Sequence, residues 1–121
     1  KFYSNSEIKF NFTPHLSPMF RGILSTIYLD LKKGVSINKI QNTLKQFHKK
    51  NRFIKILKND SLISTNDVIN TNNCLISVCR TKYKKKIILL SAIDNLIKGG
   101  TGQAIQNMNN KFEFSVNEGL K

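Results

Sequence analysis

The order of elements predicts an α+β fold, an antiparallel or mixed sheet with helices packed on one face. Three observations carry this expectation. Apolar and alternating runs of strand length recur through the chain, most clearly at residues 23–31 and 86–93. One stretch, residues 37–47, instead repeats its apolar residues at helical spacing. The resulting order, β-β-α-β-β-β-α, does not alternate as a doubly wound nucleotide-binding sheet would. At 121 residues the chain is one domain at most, and 40% hydrophobic content with eight Phe gives it a real core.

Each element has its own signal. Ile8-Lys9-Phe10-Asn11-Phe12 alternates and predicts a short first strand. In residues 23–31, Ile23, Ser25, Ile27, Leu29 and Leu31 share one face, which is expected on the core, while Leu24, Thr26, Tyr28 and Asp30 share the other. Lys32-Lys33-Gly34 ends that strand. Ser36 is placed to cap a helix whose inner stripe is Ile37, Ile40, Leu44 and Phe47. Lys39, Gln41, Asn42, Lys45 and Gln46 take its wet face, and His48, Lys49 and Lys50 suit the negative end of the dipole.

Residues 53–57 predict another short strand. Residues 58–73, poor in apolar side chains, predict a long loop of the kind that often borders a site. Residues 75–80 and 86–93 predict two strands joined through residues 81–85. Ile87-Ile88-Leu89-Leu90 is apolar on both sides, as in the middle of a covered sheet. Past Asp94-Asn95 a glycine-rich turn opens the last helix, with Ala104, Ile105, Met108 and Phe112 as its buried stripe.

The net charge of +13 raises a nucleic-acid reading, that of a basic binding module. Against it, the basic residues are mostly Lys spread from end to end, and Asn and Ile are enriched with them, as an AT-rich coding bias would produce. Phosphate and base readers lean on Arg, and only Arg21, Arg52 and Arg80 are present. No apolar run reaches membrane-span length, so no membrane partner is expected. Cys74 and Cys79, five apart in one strand, point to opposite faces and read as small half-buried hydrophobes of a reducing compartment. No metal site is expected. Residues 1–5 lack an initiator methionine and an apolar leader core, so the chain reads as a fragment of a longer product.

The chemistry concentrates in Phe12-Thr13-Pro14-His15-Leu16-Ser17-Pro18-Met19-Phe20-Arg21-Gly22. Two prolines stiffen the backbone around His15 and keep it out of helix. That suits an acid–base group which must meet a reacting atom, and equally a structured turn whose histidine caps something. Arg21 lies six residues on. It is placed either to grip a carboxylate or phosphate bidentately or to hold the following strand by a salt bridge. Gly99-Gly100-Thr101-Gly102 carries more glycine than a helix tolerates for its own sake, which allows close approach by a cofactor or another domain.

The His15 stretch resembles the histidine motif of the N-acetyl-γ-glutamyl-phosphate reductases. A second match runs from Ser91-Ala92-Ile93-Asp94-Asn95-Leu96-Ile97-Lys98 through Gly99-Gly100-Thr101-Gly102-Gln103-Ala104-Ile105-Gln106 to Asn107-Met108-Asn109. Asn72-Asn73-Cys74-Leu75-Ile76-Ser77-Val78 and Glu118-Gly119-Leu120 fit more weakly, in the same order.

The resemblance implies a semialdehyde-dehydrogenase-like C-terminal catalytic and dimerisation domain. Residues 1–93 would form part of that domain, and residues 94–121 a closing helix and tail packed on a missing dinucleotide-binding domain. The family reduces N-acetyl-γ-glutamyl phosphate to N-acetylglutamate 5-semialdehyde with NADPH, releasing phosphate, in arginine biosynthesis. By resemblance His15 is the catalytic histidine that serves a cysteine nucleophile, and imidazole suits that work because free histidine titrates near neutral pH. Arg21 would bind substrate, and Gln103 and Gln106 would approach the nicotinamide of NADP. The resemblance further implies a cytoplasmic homo-oligomer. A related acyl-phosphate reductase acting on an amino-adipyl analogue in lysine synthesis fits the same residues. Gly100 stands where the family leads one to expect alanine. Neither a dinucleotide-binding fingerprint nor the family's Pro-Gly-Cys nucleophile motif occurs, so the chain alone is expected to be inactive.

Overall fold

The computed structural model describes residues 9–121. Four strands form one mixed sheet: β1 (Ile23–Asp30), β2 (Ile54–Ile56), β3 (Cys74–Arg80) and β4 (Lys86–Ile93). Their order across the sheet is β1-β4-β3-β2. β4 is antiparallel to both neighbours, whereas β2 runs parallel to β3. The parallel pair follows from a long connection, residues 57–73, in place of a hairpin. Two helices complete the domain, α1 (Ile37–Phe47) and α2 (Gly102–Lys111). This is the α+β class expected, with a mixed sheet.

α1 begins where the sequence places it. Ser36 is extended at φ −102° and its Oγ accepts the Lys39 N–H at 3.2 Å, so one of the orphan N–H groups of the first turn finds a partner. The helix lies against β2 and β3. His48 closes it, its N–H donating to Leu44 O at 3.0 Å, as the capping role requires. The inner stripe is corrected at two positions. Gln41, expected wet, is buried because its Nε2 donates to Leu57 O at 2.6 Å, and a satisfied amide can enter a core. Phe47, expected inside, is 66% exposed at the helix end, its ring set edge-on to His48.

The loop of residues 58–73 supplies core. Ile63 and Val68 bury against Ala92, with Leu57, Leu75 and Leu90 packed around them. A single 3-10 turn, Thr65–Asp67, fixes the loop's middle through a reciprocal cap in which the Ser64 N–H donates to Asp67 Oδ2 at 2.8 Å. Val78 and Ile87 are buried on the other side of the sheet.

β1 differs from expectation. The face bearing Ile23, Ile27 and Leu29 is 40–45% exposed, and Tyr28 on the other face is 74% exposed. β1 is an edge strand, and α1 covers the opposite end of the sheet, so no described helix roofs it. The predicted strand at residues 8–12 is not found. Ile8 lies outside the described residues, and residues 9–12 are exposed and outside the sheet. The stripe assigned to α2 is also corrected: Ala104 is exposed, Met108 and Phe112 are 46% and 64% exposed, and Gly102 and Asn109 are the residues that bury. Polar anchoring sets this helix. Asn109 Nδ2 donates to Glu118 O at 2.9 Å and ties the tail to α2.

Candidate active-site corner

Antiparallel pairing of β1 with β4 sets Ile23 opposite Ile93. The residues before β1, Arg21 and Gly22, therefore meet the residues after β4, Asp94 and Asn95. The Gly22 N–H donates to Asn95 Oδ1 at 2.8 Å, and Arg21 Nε donates to Asp94 Oδ1 at 3.0 Å and lies 3.0 Å from Oδ2. Gly22 has φ +104°, and a Cβ there would stand 2.7 Å from Thr65 Cβ. Only glycine lets the chain pass this close to the 3-10 turn while turning into β1.

Asp94 has no exposed surface. Its Oδ1 accepts the N–H groups of Leu96 at 2.8 Å and Ile97 at 3.0 Å, and its Oδ2 accepts that of Asn70 at 2.8 Å. Asn70 adopts φ +62°, a left-handed turn that asparagine tolerates. Burial alone would raise the Asp94 pKa, but the Arg21 guanidinium and the three N–H donors outweigh it and hold the carboxyl below its ordinary range. The carboxylate is thus charged, saturated and out of reach of solvent. It joins three segments: the run into β1, the 58–73 loop and the turn after β4.

That turn is wide. The Gly99 N–H bonds to Asp94 O at 2.8 Å and the Thr101 N–H to Leu96 O at 3.0 Å, each five residues back. Bulges of this kind widen a helix start and occur often at functional sites. Lys98 turns inward, with Nζ donating to Gln106 Oε1 at 2.7 Å and lying 5.7 Å above the Phe53 ring. Burial lowers the Lys98 pKa, partly opposed by Cys74. Asn72 Nδ2 donates to the same Gln106 oxygen at 3.1 Å, and Asn72 Oδ1 is buried against Gly102 with no partner among the described residues.

The site residues expected from sequence fall in three places. His15 lies on an exposed segment, its Nδ1 3.1 Å from Thr13 O. A carbonyl only accepts, so the neutral ring in this bond carries its proton on Nδ1 and keeps a lone pair on Nε2. Arg21 forms the salt bridge that the sequence offered as one of its two roles. Its Nη groups make no bond among the described residues, and the side chain is 19% exposed. Gln106 is drawn into the Lys98–Asn72 cluster, its amide NH2 uncommitted among the described residues, while Gln103 pairs with Asn107 at 2.9 Å on the surface. Gly100 is exposed, with φ −150° and ψ −111° inside the turn, and a Cβ there would meet only Asn95 O, at 3.4 Å.

Sequence reasoning gave Asp94, Asn95, Asn70 and Lys98 no role. Two of them carried a signal: an Asp-Asn pair directly after an apolar strand and before a helix is capping chemistry. Cys74 and Cys79 are free thiols, Cys74 beside Ser91 and Cys79 beside Ser77, both at 3.5 Å. No group of three His, Cys, Asp or Glu among the described residues could hold a metal ion. No described helix is long and apolar enough to cross a membrane.

Comparison with known proteins gives the family. Residues 1–95 match the family model described as semialdehyde dehydrogenase, dimerisation domain. The chain is 44% identical over 117 residues to a protein of Clostridium botulinum (strain Eklund 17B / Type B) named N-acetyl-gamma-glutamyl-phosphate reductase, covering 97% of this chain and 34% of that protein. A protein of the same name from Thermoanaerobacter pseudethanolicus is 46% identical over 109 residues, 90% of this chain and 32% of its own length. One from Halothermothrix orenii is 42% identical over 120 residues, with coverage of 99% and 35%. The chain spans about a third of the length of the curated relatives it matches.

Proposed function

The chain belongs to the semialdehyde dehydrogenase dimerisation-domain family, and from that membership we propose that it supplies the proton-handling half of an N-acetyl-γ-glutamyl-phosphate reductase active site. The observation that carries the reading is the exposed His15 ring, held at Nδ1 by Thr13 O and with no partner at Nε2 among the described residues, in a chain 42–46% identical to reductases of that name over nearly its whole length.

The reaction is the reduction of N-acetyl-γ-glutamyl phosphate to N-acetylglutamate 5-semialdehyde, with phosphate released. A cysteine thiolate outside this chain displaces phosphate from the acyl carbon, forming a C–S bond as the C–O bond breaks. His15 Nε2 takes the thiol proton beforehand. Once the thioester is reduced, the same nitrogen lends its proton to the thiohemiacetal oxyanion and takes it back as the C–S bond breaks, so that thiolate leaves and the aldehyde carbonyl forms. Arg21 offers its Nη groups to an oxyanion of the substrate. When bound, NADP as its reduced form supplies the hydride. Residues fitted to hold its nicotinamide are present: Gln106 with an uncommitted amide NH2, Gln103 at the surface, and an exposed Gly99-Gly100 without side chains to bar approach.

Residues 94–121 then face a dinucleotide-binding domain, which covers the exposed Met108, Phe112 and Phe114. The matched dimerisation model supports a homo-oligomer, and a cytoplasmic location belongs to the same reading. The test is His15→Asn in the complete enzyme. Turnover should fall by about 10²–10⁴-fold, with thermal stability nearly unchanged because the ring is exposed. An unaffected turnover removes His15 from the mechanism.

A further inference from the structure

We propose that Asp94 is a positioning residue for substrate binding: it seizes the Nε edge of Arg21 and thereby leaves the Nη edge as the oxyanion grip. The inference rests on the reading above, in which Arg21 meets the substrate, and it assigns the residue that makes this possible. Asp94 itself cannot touch substrate, because it is fully buried and both its oxygens are filled by Leu96, Ile97, Asn70 and Arg21.

A guanidinium carries five N–H donors in a rigid plane, so one edge can be spent on a protein carboxylate while the other binds a ligand. In this corner only Nε is engaged. Arg21 loses rotamer freedom before substrate arrives, which lowers the cost of binding. Asn95 adds a second restraint, fixing the adjacent Gly22 N–H at 2.8 Å. Asp94 and Asn95 are consecutive, so the turn after β4 positions both the arginine side chain and its backbone. The remaining carboxylate bonds, to Leu96, Ile97 and Asn70, keep Asp94 from following Arg21 when the ligand pulls.

Steady-state kinetics of the complete enzyme tests this with Asp94→Asn, Arg21→Ala, the double variant and Arg21→Lys. Asp94→Asn should raise the KM for the acyl phosphate about tenfold and leave that for NADPH unchanged. In the Arg21→Ala background the same substitution should add nothing to the substrate KM. Independent, multiplicative KM effects would overturn the proposal, as would an unchanged KM in Asp94→Asn while Arg21→Ala is impaired. If Arg21→Ala leaves the substrate KM unaltered, the grip itself fails and the underlying reading of Arg21 with it.

Should Asp94→Asn not fold, Arg21→Lys decides alone. A lysine spends its single ammonium on Asp94 and should bind substrate as poorly as Arg21→Ala; wild-type binding would refute the division into two edges. The grip acts on an oxyanion, carboxylate or phosphoryl. A rise in the inhibition constant of inorganic phosphate in the same variants supports the proposal at the phosphoryl end, and a constant value beside a raised substrate KM supports it at the carboxylate end.

Discussion

Replacing Gly22 by alanine should destabilise the protein by about 3 kcal/mol, from two separable causes. The first is conformational: φ is +104°, and holding an L-residue in left-handed space costs roughly 1–2 kcal/mol. The second is steric. The new Cβ would stand 2.7 Å from Thr65 Cβ and 2.9 Å from Thr65 Cγ2, against an ordinary carbon separation of about 3.5–4.0 Å. A Cβ cannot rotate away, and Thr65 opens a 3-10 turn already fixed by its Ser64 cap, so the overpacking term is about 1–3 kcal/mol. In a scanning calorimeter this corresponds to a fall in Tm of roughly 10 °C for a domain of this size. Gly34→Ala provides the control. Gly34 has φ +79° with nothing within 4 Å of its Cβ position, so it should lose only the conformational term, about 1 kcal/mol. Adding Thr65→Gly to Gly22→Ala should recover part of the steric term. Equal losses at Gly22 and Gly34 would refute the steric argument, and a loss under about 0.5 kcal/mol at Gly22 would refute both.

Ser36→Ala should cost about 1 kcal/mol in urea unfolding by removing the bond to the Lys39 N–H. Asn109→Ala should cost about 1–3 kcal/mol and release the tail, seen as faster amide exchange over residues 114–121 while β3 and β4 keep their protection. Asp94 gives an acid signature with a definite sign. Its folded pKa lies below its ordinary value of 3.8, so its stabilisation is fully present above that value and is lost as pH falls through the lower folded one. Melting temperature measured from pH 6 downward should drop in that window, and Asp94→Asn should flatten the drop.

The sheet and α1 were legible because their signals are local. Period-two runs at residues 23–31 and 86–93 and the Ser36 cap each follow from chemistry within a few residues. Burial was less legible wherever polar groups carry it. Gln41, Asn72, Asp94 and Asn109 lie inside because each bonds to backbone or amide partners distant in sequence, which no apolar pattern records. The stripe given to α2 failed for this reason. The exposure of Ile23, Ile27 and Leu29 has another cause: an apolar strand face states that something covers it, without stating what. For the site, proline and glycine punctuation drew attention to residues 12–22, but the partner of Arg21 lies 73 positions away. Only the pairing of Ile23 with Ile93 brings the two together.

Along β1, among the described residues, a single flank carries ladder bonds; on the other flank alternate residues of the eight-residue strand set out unpaired peptide groups, bordered by Ile27 and Tyr28. Such a ribbon accepts a strand from any chain that offers one. Whoever prepares this stretch by itself should therefore meet self-association before enzymology, and a lysine in place of Tyr28 is the change that would keep the molecules apart.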